Sequence, residues 1–134
     1  MYNNVLVPVV FEPEDLAKRA LVTARHLAGT DGTVTALHVI EQLPSYATQY
    51  VPSDILQQNR TELAAALHEM AETVGAGAQL VSGHASRTIL DTAQELSADC
   101  IVIASHRPGL QDYLIGGTAA HIVRHATCAV HVLR

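Results

Sequence analysis

Two runs of consecutive apolar residues restrict what this chain can become. Val5 to Val10 reads VLVPVV and Asp99 to Ser105 reads DCIVIAS. Neither alternates with polar residues, as a strand with one wet face would. Such runs suit strands buried on both faces, which is the habit of a parallel sheet covered by helices. Pro8 has no N–H for a sheet ladder, so it belongs near the end of the first strand, where pairing stops and a ligand can sit.

Between these runs the apolar spacing changes to that of helices. From Glu14, residues Leu16, Ala20, Thr23 and Leu27 fall on one helical face, with acidic residues in the first turn and Gly29 as a stop. TVTALHVI, Thr33 to Ile40, is a second strand. Glu41 to Pro52 has two prolines and two tyrosines but no period, and reads as a loop able to cover a site or a partner surface. Ser53 is placed to cap a helix whose stripe of Leu63, Leu67, Met70 and Val74 faces the core and stops at Gly75 and Gly77. AQLVSG is a short strand, Ser86 to Ser97 a helix carrying Ile89, Leu90, Ala93 and Leu96, GTAAHIVRHA a helix and CAVHVLR a last strand. Strictly alternating strands and helices predict one α/β, doubly wound, Rossmann-like domain over residues 1–134. Its five-stranded, mainly parallel sheet would carry helices on both faces.

Bulk numbers exclude several classes. The 134 residues fit one domain, and 49% hydrophobic with 16% charged residues describes a globular chain. A net charge of -5 argues against a general nucleic-acid binder, which needs a positive footprint to displace counterions. No apolar run approaches the roughly 18 to 20 residues of a membrane span, and the opening MYNNVLVPVVFEPED has no basic leader-like start. No membrane partner and a cytoplasmic location are therefore expected. Cys100 and Cys128 sit in apolar strand-like runs, which suits reduced, buried thiols better than a disulfide framework.

Ligands of such sheets bind beyond the C-terminal strand ends. Here that edge collects Pro8 to Phe11, Val39 to Glu41, Ser82 to His84, and the stretch ASHRPGLQDYLIGGT from Ala104 to Thr118. There is no G-x-x-x-x-G-K-[ST] and no G-x-G-x-x-G after the first strand, so neither a P-loop nor a classical NAD site is expected. What remains is GGT before a helix, where free N–H groups, the positive end of the helix dipole and the Thr118 hydroxyl can meet an anion. Spacing alone leaves open, and favours, a plainer alternative: Gly116 and Gly117 make a turn and Thr118 caps the helix. His121 and His125 have a spacing that can hold Zn²⁺, but no Glu follows His121 and no third ligand is evident, so no metal site is expected. His38 and His131 read as packing residues. No Ser/His/Asp order is legible, and no catalytic residue is assigned.

Taken together, the alternating elements, VLVPV, LHVI and the tail ASHRPGLQDYLIGGTAAHIVRHATCAVHVLR resemble the universal stress protein family, in its F/G-like bacterial form. Nucleotide-binding members carry G-x2-G-x9-G-[ST]. In this chain the pattern falls on Ala104, Arg107 and Gly117-Thr118, so only its second half is kept. Arg107 replaces glycine's conformational freedom with a cation rich in donors.

The resemblance implies a phosphate site at Ala104, Ser105, His106, Arg107, Gly117, Thr118 and Ala119. It implies an adenine and ribose site at Pro8, Val9, Val10 and Val39, with backbone groups near Val39 reading the base. Val10 stands where such members usually have an aspartate, so Mg²⁺ or Mn²⁺ would need Glu12 or Asp15 as a substitute. It also implies a homodimer paired through Ala129, Val130, His131, Val132 and Leu133. The alternative is an edge covered by the Pro44 to Pro52 loop. The function expected on this basis is an adenine-nucleotide-binding (ATP, ADP or AMP) stress-response module acting on a regulated protein partner, with weak ATP hydrolysis at most. Two alternatives stand beside it: a nucleotide-free dimer working through its surface, and a slow ATPase or phosphotransferase.

Overall fold

The computed structural model describes residues 1–41, 46, 49–105 and 116–134. Its strands are β1 (Asn4–Pro8), β2 (Thr33–Ile40), β3 (Gly77–Ser82), β4 (Cys100–Ala104) and β5 (Ala129–Leu133). Between them run α1 (Glu14–Ala28), α2 (Ser53–Glu72), α3 (Ala85–Glu95) and α4 (Gly117–His125). The strands form one sheet in the order β3-β2-β1-β4-β5, and every pairing is parallel. This is the doubly wound α/β fold expected from the alternation of patterns.

β1 occupies the centre because its side chains are apolar on both faces. Val5 and Val7 point into a layer with Leu21, Val34, Leu67 and Val102, while Leu6 points into the opposite layer with Leu37, Ile89, Ile101 and Ile122. Val5, Leu6 and Val7 are all 0% exposed. Burying each such side chain contributes roughly 1.5 to 3 kcal/mol. β1 ends at Pro8, two residues before the apolar run does: Val9 leaves the strand, although its N–H still donates to the Leu37 carbonyl at 2.8 Å.

α1 lays Leu16, Ala17, Ala20, Leu21, Ala24 and Ala28 on the sheet, and the alanines let its backbone come close. Gly29 takes φ 72° just past the last turn, and its N–H bonds the Arg25 carbonyl at 2.9 Å. Arg25 then fastens this end of the molecule. Its Nε donates to the Val74 carbonyl, its Nη1 to the Gly29 and Gly32 carbonyls, and its Nη2 to the Gly75 carbonyl, all within 2.8–3.0 Å. Gly32 is required for space: a Cβ there would lie 2.5 Å from the Ala28 carbonyl oxygen and 2.7 Å from that of Tyr2. Ser53 is not the cap expected of it. Pro52 takes the capping position with an extended backbone and no side-chain bond, and Ser53 is the first helical residue.

Cys100 packs into the layer of Val5 and Cys128 into that of Leu6, and both are free thiols. Burial, reinforced by Cys128 and the Asp99 charge, pushes the Cys100 thiol up to about 11. No helix among the described residues is long and apolar enough to cross a membrane.

At the N-terminal edge of the sheet, the Asp99 carboxylate accepts the Asn3 N–H at 2.8 Å and the Asn4 N–H at 3.0 Å. The Asn3 bond first, and the Asn4 bond with it, hold this carboxyl below its usual value against partial desolvation. A depressed carboxyl stabilises the fold above its unfolded-state pKa, and that contribution is lost as pH falls through the folded-state value. Asp99→Asn is therefore expected to lower stability by about 1 kcal/mol at neutral pH, after allowing for solvent screening. Urea denaturation should show the gap to the parent chain closing below about pH 4; a gap unchanged at pH 3 contradicts this account.

Candidate functional site

The sheet comes apart at its C-terminal edge between β1 and β4. β1 follows β2 as far as Pro8 opposite Leu37, and β4 follows β5 as far as Ala104 opposite Leu133. β1 and β4 themselves pair only at Val5 with Cys100 and Leu6 with Ile101. Backbone donors alternate sides along a strand, and the Val9 N–H faces β2; the position of Pro8 therefore faces β4 and has no N–H to offer. A cleft of about 480 Å³ opens where the ladder stops. It lies at the point where strand order reverses, the place such sheets bind ligands.

One wall of the cleft is the exit of β1, formed by Pro8, Val9 and Val10, of which Val9 is buried and Val10 is 54% exposed at the mouth. The Val9 carbonyl accepts a bond from His38 Nδ1 at 2.8 Å. A carbonyl only accepts, so Nδ1 carries the proton. The Phe11 ring lies against the imidazole with centroids 4.6 Å apart. His38 is thus a packing residue as expected, but it also borders the cleft beside Leu37 and Val39, which sequence reasoning missed. The available signal was its place near the C-terminal end of the second strand.

Leu16, Ala17 and Ala20 of α1 and Ile89 of α3 supply apolar floor, while Glu12 and Glu41 stand at the exposed rim. Of the two substitutes for a β1-end carboxylate, Glu12 borders the cleft and Asp15 does not. Glu41 is a second rim carboxylate that the motif reading did not single out.

The opposite wall is built from Ala104, Ser105 and the start of α4. The buried Ser105 hydroxyl accepts the Gly116 N–H at 2.7 Å, and the Ser105 N–H donates to the Leu133 carbonyl at 2.7 Å. Residues 106–115, including His106 and Arg107, lie outside the described residues. The α4 ladder begins with Ala120 N–H to the Gly116 carbonyl at 2.9 Å, so the N–H groups of Gly117, Thr118 and Ala119 have no intrahelical acceptor. Gly116 occupies the capping position with no side-chain bond, and Thr118 stands exposed inside the first turn. The plainer alternative for this stretch therefore loses its Thr118 cap. Among the described residues, a Cβ on Gly117 would meet nothing within 4 Å. Partial positive charge and donors without intrahelical acceptors, turned toward a cleft, can meet an anion.

Among the described residues β5 pairs with β4 alone, and along it Ala129 and His131 are exposed while Val130, Val132 and Leu133 are half-buried. His121 and His125 lie on the exposed side of α4, away from the cleft.

Fold and cleft together define a Rossmann-like α/β domain with an open cleft at the sheet's switch point. The model described as the Universal stress protein family matches residues 1–134, and the chain belongs to that family. It is 30% identical to Universal stress protein G of Salmonella typhimurium over 143 residues, covering 100% of each, in keeping with the F/G-like character of the tail. Universal stress protein UspA from Lactobacillus plantarum has the same fold, with a TM-score of 0.79 at 27% identity, covering 99% of this chain and 98% of that one. The universal stress protein from Archaeoglobus fulgidus in complex with dAMP shares the fold with a TM-score of 0.67 at 18% identity, covering 99% and 98%.

The Ser105 hydroxyl is the buried partner of a backbone donor, and this gives it a measurable role. Ser105→Ala is expected to cost roughly 1 to 3 kcal/mol of stability, since the Gly116 N–H would be stranded. Thr118→Ala, at an exposed position, should stay within about 0.5 kcal/mol. Thermal or urea denaturation compares the two, and equal losses would refute the assignment.

Proposed function

We propose that this chain is a binding module for adenine nucleotides, with the cleft between β1 and β4 as the site. The observation that carries the reading is the start of α4: three backbone donors without intrahelical partners open onto an otherwise apolar cleft. A nucleotide has the matching shape, a flat weakly polar base joined to a compact polyanion. Val9, Val10 and Val39 would take the base, and backbone groups near Val39 would read its edge. Gly117, Thr118 and Ala119 would take phosphate oxygens, with Ala104 and Ser105 forming the wall beside them, His106 adding an N–H and Arg107 a cationic donor. The complex of the Archaeoglobus fulgidus relative with dAMP supports the choice of adenine. Glu12, which borders the cleft beside the exit of β1, would be the carboxylate that approaches a ribose or a phosphate-bound Mg²⁺.

If Arg107 acts on phosphate, Arg107→Ala weakens ATP more than adenosine. A loss of one charge-assisted contact predicts roughly a tenfold or greater drop for ATP and little change for adenosine. Titration calorimetry with ATP, ADP, AMP and adenosine measures this. Equal losses would remove Arg107 from the phosphate site, and no heat with any nucleotide at millimolar concentration would favour the nucleotide-free reading.

The same proposal includes a homodimer formed along β5. The two outer strands of the sheet are treated differently. β3 is guarded by Arg60, whose guanidinium donates to the Ser82 hydroxyl at 2.8 Å and the Leu80 carbonyl at 3.3 Å. β5 presents Ala129 to Leu133 with no charged side chain within the strand. Sedimentation equilibrium should give twice the chain mass at micromolar concentration; a monomer throughout that range would contradict the dimer. A dimeric nucleotide-responsive domain of this kind would regulate a protein partner through its surface, in the cytoplasm.

A further inference from the structure

We infer that His121 and His125 form a chelating site for a borderline divalent transition-metal ion on the outer face of α4. The two residues are four apart, so they stand one above the other on the helix surface. Their rings are in contact, with centroids 4.3 Å apart and planes tilted by 41°. Both residues are exposed, and neither is paired with a carboxylate among the described residues. Each imidazole in its neutral form offers one nitrogen lone pair in the plane of the ring, so the pair presents two donors of the same kind side by side.

Imidazole nitrogen selects Zn²⁺, Ni²⁺ or Cu²⁺ over Mg²⁺ or Ca²⁺, which require oxygen ligands. A pair at this helical spacing can turn nitrogen donors toward one ion, and the remaining coordination positions stay open to water. The helix adds a further attraction. His125 is the last residue of α4, where the negative end of the helix dipole favours a cation, while the neighbouring Arg124 opposes it. No group of three or more His, Cys, Asp or Glu suited to a metal occurs among the described residues, so two protein ligands define the site. The site is distinct from the cleft, since neither histidine borders it. It stands whether or not the cleft takes a nucleotide.

The test is titration calorimetry of the untagged full chain with NiCl₂ and, separately, ZnCl₂, without nucleotide. Ni²⁺ and Zn²⁺ also avoid the thiol oxidation that Cu²⁺ would bring to Cys128. Saturable binding of one ion per chain is expected, with MgCl₂ giving no saturable heat. His121→Gln and His125→Gln are exposed replacements that should leave the circular dichroism spectrum intact. Each is expected to weaken Ni²⁺ binding by roughly tenfold or more, on the scale of lost ligand-shell contacts. His68→Gln, which alters the separate His68–Glu72 pair on α2, should leave it unchanged. Binding undiminished in both α4 variants, or no saturable binding of either ion at millimolar concentration, would overturn the inference.

Discussion

The early parting of β1 and β4 is the constraint on which the cleft and everything that borders it depend. A parallel sheet gains by continuing its ladders, and β1 does continue on its β2 side to Pro8. On the β4 side it stops after Leu6, and the residue that would extend it lacks a donor. Both strands are buried on both faces by then, so the register cannot slip to repair the break without turning core residues outward. The gap is built into the centre of the fold rather than added at its surface.

What fills the two sides of that gap follows from backbone satisfaction. Once Val9 leaves the strand, its N–H goes to the Leu37 carbonyl and its carbonyl receives the His38 imidazole. On the other side, Ser105 both donates to Leu133 and accepts from Gly116. These bonds occupy the polar groups of Val9 and Ser105, and the side chains between the two walls are mainly valine, leucine, isoleucine and alanine. The donors at the cleft's end, without intrahelical acceptors, belong to the first turn of α4. Polarity is therefore graded across the site, from valine and leucine walls to a donor-rich seat, with Glu12 and Glu41 outside both.

The fold was legible because its signals are collective. Continuous apolar runs, helical stripes and their alternation all pointed to one architecture, and β2 falls on the eight residues its pattern marked. Strand ends were less legible: Val9 and Val10 are as apolar as β1 itself, and only Pro8 showed where pairing stops. Ser53 misled because a serine before an apolar stripe looks like a cap, whereas the capping position falls one residue earlier, on Pro52. Val9, Val10, Val39, Ala104 and Gly117 to Ala119, which the family resemblance grouped, all border the cleft at the sheet edge. His38 was not legible as a lining residue, since its place depends on the depth of the cleft and not on any local pattern, whereas Glu41 fell within the edge stretch Val39 to Glu41 without being singled out as a carboxylate. The Ser105 bond was hidden for another reason: it joins residues eleven apart across a stretch with no period.

That bond also ties one wall of the cleft to the edge of the sheet. The Ser105 N–H donates to the Leu133 carbonyl of β5 and its hydroxyl accepts the Gly116 N–H, so an end strand, the exit of β4 and the start of α4 are linked in series. A displacement of β5 is passed directly to the helix start. The outer strand and one wall of the central cleft therefore move as one body.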